Sequence, residues 1–154
     1  MRPFELRHLT AAERGLARTV FGRAIDLDRI QIMAVPYWNR AFVPTGWLIV
    51  WPMADALADF GADGAPLFLQ ARLIHELTHV WQAQQGVNLL LAKLHAGDGP
   101  AAYVYDLERD PHFARLNIEQ QAMAVEHAFL CGRGVRTPHT AEVYRAALPD
   151  WGQA

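Results

Sequence analysis

Cysteine is all but missing from this sequence. Its one thiol, Cys131, excludes an internal disulfide framework, and there is no Cys pair to build a structural zinc knot. Lysine is as scarce: thirteen arginines and Lys93 carry the positive charge without forming a basic run, and the formal net charge is -2. No nucleic acid partner is expected from that balance. Long apolar runs are lacking too. The greasiest segment, VNLLLAKLHA at 87–96, is broken by Lys93 and His95 and falls short of the roughly 20 residues that span a bilayer. The opening MRPFELRHLTAAERGLARTVF is too polar for the apolar stretch of a signal peptide. A cytoplasmic protein is the expectation, with export that needs no signal peptide left open.

What is present is an ordinary globular composition: 154 residues, 52% hydrophobic and 19% charged. That is enough chain for one domain, 1–154, with a core that needs no staples. LTAAERGLARTVFG opens with Thr10 as N-cap and Glu13 three residues on, a capping-box pattern, and Gly22 can end the helix. RIQIMAV (29–35) reads as a strand. AFVPTGWLIVWP (41–52) reads as two strands around Pro44-Thr45-Gly46. MADALADFGADGAP reads as a loop with a short helical turn. From Pro66 to about Gln85, apolar residues recur at three- and four-residue steps, with Pro66 suited to the first turn and Gly86 to the end. An irregular region follows, with a strand expected at AAYVYDL (101–107). Helices are expected at 114–134 and in TPHTAEVYRAAL. The class is α+β.

Inside the long helical segment stands His75-Glu76-Leu77-Thr78-His79, the pattern H-E-x-x-H. With seven His and seven Glu, random placement gives it in only about one or two chains in a hundred. Residues i and i+4 share a helix face, so two imidazoles can address one ion at about 2.0 to 2.1 Å. Glu76, about 100° around the helix from His75, can then serve as general base without being a ligand. The plain alternative is a helix with two partly buried histidines and a solvent-facing glutamate, which carries a desolvation cost without a partner.

A catalytic zinc needs a third protein ligand and an open position. The extended pattern H-E-x-x-H-x-x-G-x-x-H fails, because Gln82 and Gln85 occupy its Gly and His positions. That leaves a glutamate from a later helix, and NIEQQAMAVEHAF offers Glu119 and Glu126. Seven residues separate them, about 10 Å along a straight helix, so both cannot bind one ion. Glu119 is the expected ligand, because Ala122 and Ala124 beside it allow close helix approach. Glu126 is left as a supporting or surface residue. A solvated glutamate at a helix start is the competing account of Glu119. His112 and His127 are weaker ligand candidates, while His8, His95 and His139 are read as structural.

LIHELTHVWQAQQG resembles the metallopeptidase-like domain of extracellular contractile injection systems and the Vgr-related proteins of proteobacteria. LTAAERGLARTVFGRAIDLDRIQI and LNIEQQAMAVEHAF resemble the first helix and strand and the E-Q-Q-A helix of the same family, so the resemblance covers most of 9–130. It implies a minimal zincin-like fold of gluzincin type, in which a small β-sheet packs on the H-E-x-x-H helix and a second helix bears the glutamate. It also implies Zn2+ held by His75, His79 and Glu119, with Glu76 as base. Many gluzincins carry a carboxylate four residues after the ligand glutamate; here that residue is Met123. Another group, such as Glu126 or a backbone carbonyl, must then orient a ligand histidine.

The expected activity is zinc-dependent hydrolysis of a peptide or protein substrate, whose identity is unreadable. Tyr103, Tyr105, His112, Arg115 and His127 are candidate donors to the oxyanion. The hairpin at 41–51 can offer an edge for substrate, with Trp47 and Trp51 on one side of the strand, as groove or as core. Two rivals stand beside this reading. One is a non-catalytic zincin-like adaptor or component of a secretion or injection assembly, and the other is a hydrolase acting on a non-peptide amide.

Overall fold

A computed structural model of the chain describes residues 1–97 and 99–151. Helix α1 (Ala11–Phe21) starts where its capping box predicts. Thr10 accepts from the Glu13 amide, and the Glu13 carboxylate accepts from the Thr10 amide. Glu13 does more than cap: fully buried, it also accepts from both terminal nitrogens of the Arg7 guanidinium at 2.7 Å and from the Phe60 amide at 2.8 Å. This knot ties the chain start to the loop that precedes the long helix.

Four strands form one sheet in the order β1-β2-β4-β3: β1 (Leu6–His8), β2 (Gln31–Val35), β3 (Phe42–Thr45) and β4 (Leu48–Pro52). β1 runs antiparallel to β2, β2 parallel to β4, and β4 antiparallel to β3. The hairpin forms, but it turns at Gly46-Trp47 and not around Pro44-Thr45-Gly46, because Pro44 and Thr45 belong to β3, an outer strand packed on the helices. Pro44, which lacks an N–H, is tolerated on that outer strand. β1 was not expected; three residues give too little alternation to read. Trp51 lies in the core against Phe60, with ring centroids 4.4 Å apart. Trp47 precedes β4 and packs under the Arg29 guanidinium, so the shared-face argument does not apply to it.

Helix α2 (Leu67–Gln84) follows, with Pro66 at the N-cap rather than in the first turn and Gly86 at φ 88° just beyond the end. The segment expected to be irregular contains helix α3 (Leu89–Ala96), capped by Asn88 on the Leu91 amide and ended by Gly97 at φ 79°. The strand expected at 101–107 is absent. Pro100–Tyr103 is a 3-10 turn, and the following backbone is bonded by side chains instead of by a neighbouring strand. Asn117 donates to the Ala102 carbonyl, Gln120 to the Val104 carbonyl, and the Leu107 amide donates to His139.

Helix α4 (Ile118–Cys131) begins four residues later than expected, at an Asn117–Gln120 capping box, with a separate 3-10 turn at Phe113–Arg115. Helix α5 (Ala141–Ala147) is last. The core runs between the sheet and α2, through Ile32, Ile49, Trp51, Leu73, Ile74 and Leu77, and continues to Val125 and Phe129 of α4. The architecture is α+β, with α2 packed between α4 and the sheet. Among the described residues no helix is long and apolar enough to cross a membrane.

Candidate metal centre

α2 is unusual in burying polar groups. His75, Glu76, Thr78, His79 and Gln82 are all buried, on a helix whose remaining inward residues are aliphatic. Such groups need partners. Thr78 bonds back to the Ile74 carbonyl within the helix. The partners of the others come chiefly from α4. Ala122 and Ala124, both fully buried, face a contact close enough for Glu119 to reach α2.

Glu119 Oε2 lies 3.5 Å from His75 Nε2 and 3.4 Å from His79 Nε2. Two ligands about 2.0 to 2.1 Å from one tetrahedral ion sit about 3.3 to 3.4 Å apart, and both distances from Glu119 Oε2 match that spacing. Metal-capable atoms of His75, His79 and Glu119 all fall within 4.8 Å of one another.

The outer nitrogens of the histidines are also engaged. His75 Nδ1 meets Glu126 Oε2 at 3.0 Å, and His79 Nδ1 meets Gln82 Oε1 at 2.8 Å. Gln82 Nε2 donates to the Ile118 carbonyl and to Gln121 Oε1, which fixes the amide so that its oxygen must accept from His79. Nδ1 of each imidazole is thus engaged outward, which leaves Nε2 as the ring nitrogen facing Glu119, donating to its carboxylate here and the atom that ligation would use once its proton is released. Glu126, seven residues after Glu119, is thus the carboxylate that meets His75, where the sequence has Met123 four residues after Glu119.

Charge is concentrated here. Burial opposes a charged His75, but hydrogen bonds to Glu119 and Glu126 outweigh it and hold its pKa up at about 10 without a metal. Burial would raise the Glu119 pKa, yet bonds from His75, His79 and Lys93 keep it well below the usual carboxylate range. Glu76 is pushed upward by burial, against the nearby His75 and His79 charges. Its Oε2 is buried with no hydrogen-bond partner, the only carboxylate oxygen among the described residues in that condition. The donor set, the outward partners of the two Nδ1 atoms and this unused oxygen all fit a divalent ion of zinc's preferences.

Two residues of the site escaped the sequence reading. Gln82 figured only as a failed glycine position, although its i+3 spacing from His79 puts it on the same face. Lys93 figured only as a break in an apolar segment. Its ammonium lies 2.7 Å from Glu119 Oε1 and 3.1 Å from the Tyr103 hydroxyl, which also accepts from Arg40 at 2.8 Å. Of the five candidate oxyanion donors, Tyr103 alone joins the site through this chain. Tyr105 and His127 bond each other at 2.6 Å, and His112 and Arg115 are exposed beside Asp110. Cavities of about 530 and 480 Å3 open near His112; neither is lined by His75, His79 or Glu119, and only the smaller touches the site, through Gln82.

The solved effector domain of Pseudomonas aeruginosa VgrG2b superposes on this chain with a TM-score of 0.70, at 32% identity, covering 92% of this chain and 79% of that one. The chain belongs to the VgrG2b effector-domain family. It is also 35% identical over 136 residues to the type VI secretion system spike protein VgrG2b of that organism. That match takes in 80% of this chain and 13% of the spike protein, so the chain spans about an eighth of that relative's length. No protein-family model matches the chain.

Proposed function

We propose that this effector-type domain is a zinc-dependent metallopeptidase of a minimal, zincin-like fold, associated with a secretion system of the type VI class. The observation that carries the catalytic reading is Glu76 Oε2. A buried carboxylate oxygen without a partner is costly, and no structural bond in the fold uses it. A general base must be kept unspent in this way. His75, His79 and Glu119 would hold the metal, with Glu126 and Gln82 fixing the ring orientations. When bound, zinc supplies Lewis acidity toward a peptide carbonyl and lowers the pKa of water to about 7. Glu76 takes the proton from the attacking water and delivers it to the leaving amine. Its desolvated surroundings favour that exchange by raising its affinity for the proton.

A second reading has its own support. The relatives are a spike protein and its effector domain, and a part in such an assembly does not require catalysis. In that case the domain serves as a non-catalytic adaptor or component of the assembly. One experiment separates the two. Zinc content is measured for the parent, Glu119→Ala and Glu76→Gln, and each is then incubated with a peptide library read by mass spectrometry. The metallopeptidase reading expects about one zinc per chain in the parent and in Glu76→Gln, less in Glu119→Ala, and cleavage by the parent alone. Cleavage that persists in Glu76→Gln would sink it. Full zinc without cleavage by any form favours the adaptor.

A further inference from the structure

The chain contains a single lysine, and α3 places it against the carboxylate of Glu119. The two oxygens of that carboxylate face different ways. Oε2 points to the His75 and His79 nitrogens at 3.5 and 3.4 Å, and Oε1 meets the Lys93 ammonium at 2.7 Å. The ammonium is itself held. It donates to the Tyr103 hydroxyl at 3.1 Å and stands 5.1 Å from the centre of the Tyr103 ring. Arg40 grips the same hydroxyl from the β2–β3 loop. Three separate parts of the chain thus converge to fix one cation on the outer oxygen of a candidate ligand.

A carboxylate can bind a metal through one oxygen or two. An ammonium at 2.7 Å is a charge-assisted bond that occupies Oε1 and pulls it away from the ion position. We propose that Lys93 is a positioning residue that restricts Glu119 to coordination through Oε2 alone. The proposal rests on the metal reading above. Its consequence is the open position: two imidazoles and one carboxylate oxygen leave room for water at a four-coordinate site, whereas a two-oxygen glutamate would crowd it. Lysine suits this place better than arginine. It offers a compact point charge, while a guanidinium fork would seek both carboxylate oxygens at once.

Cobalt(II) tests this without reference to activity, because its visible absorption is intense at four-coordinate sites and several-fold weaker at five-coordinate ones. Metal-freed parent, Lys93→Met and Lys93→Gln are titrated with cobalt, with metal content and circular dichroism recorded for each. The expected result is an intense spectrum for the parent and a several-fold weaker one for both variants at equal metal content. Superimposable spectra at equal loading overturn the proposal and leave the metal reading standing. A parent that takes up neither cobalt nor zinc overturns both. Should both variants fail to fold, X-ray absorption on the zinc-loaded parent decides, and two carboxylate oxygens in its first coordination sphere overturn the proposal.

Discussion

Gln82→Met removes the polar head of a buried residue while keeping its length and volume. Gln82 is 1% exposed and makes three bonds: it accepts from His79 Nδ1 and donates to the Ile118 carbonyl and to Gln121 Oε1. Loss of the first leaves the His79 ring free to rotate and its Nδ1 buried without a partner. Outer partners of ligand histidines are typically worth 10- to 100-fold in metal affinity, or about 1.4 to 2.7 kcal/mol. The orphaned ring nitrogen costs the metal-free protein about 1 to 3 kcal/mol. At about 2 to 4 °C per kcal/mol for a chain of this size, the melting temperature falls by about 2 to 12 °C.

Gln82→Glu separates the two effects. Its carboxylate still accepts from His79 but cannot donate to Ile118 or Gln121, so stability should fall while zinc affinity stays near that of the parent. Zinc affinity is read by competition with a chromophoric chelator, and stability by thermal unfolding in a strong chelator. If Gln82→Met binds zinc within about twofold of the parent, the orienting role of this bond is wrong.

Glu13→Ala leaves the Arg7 charge and the Phe60 amide without their acceptor and should cost about 3 to 5 kcal/mol. Urea unfolding checks it, and a loss below about 1 kcal/mol contradicts the account of the knot. Free zinc at 100 times its dissociation constant should add about 2.7 kcal/mol of stability, or about 5 to 11 °C, to the parent. His79→Ala should lose that increment, and an equal rise in both would place the zinc elsewhere. Burial lowers the His127 pKa below 6.5, so the folded state disfavours its protonation. The unfolded chain then binds more protons, and this stability is present above pH 6.5 and lost as pH falls through the folded-state pKa. An imidazole proton resonance of His127 that titrates with a midpoint at or above 6.5 would refute it.

Much of the candidate site's geometry is legible in the sequence because its determinants are local or sit on regular helices. The Thr10–Glu13 box and the His75–His79 face follow from spacing of three and four residues. Glu119 was reachable because Ala122 and Ala124 mark where α4 can approach α2. The misses are non-local. β1 exists only through its pairing with β2, and its three residues carry no pattern of their own. The β-rich segment 101–107 does not form a strand, because Asn117, Gln120 and His139 bond its backbone from distant positions. Local propensity loses to such tertiary partners. Lys93 gave no sign of its role, since nothing in VNLLLAKLHA says that α3 folds back onto the first turn of α4.

The distribution of partners around α2 argues for how the centre keeps its shape. Ring orientations are set by Glu126 of α4 and by Gln82, which is itself anchored on Ile118 and Gln121 of α4, while Lys93 of α3 holds the Glu119 carboxylate. No strand contributes a hydrogen bond to this set. The sheet acts on the opposite side of α2, where Ile32, Ile49 and Trp51 meet Leu73, Ile74 and Leu77 in the core. One helix therefore carries two jobs on two faces, an aliphatic face that anchors it and a polar face that must be satisfied group by group. Every polar side chain on that second face finds a partner except Glu76, whose free oxygen lies among the charges of His75, His79 and Glu119. Bonding all the neighbours while leaving this one oxygen unbonded is a desolvation cost that the general-base role proposed for Glu76 would account for.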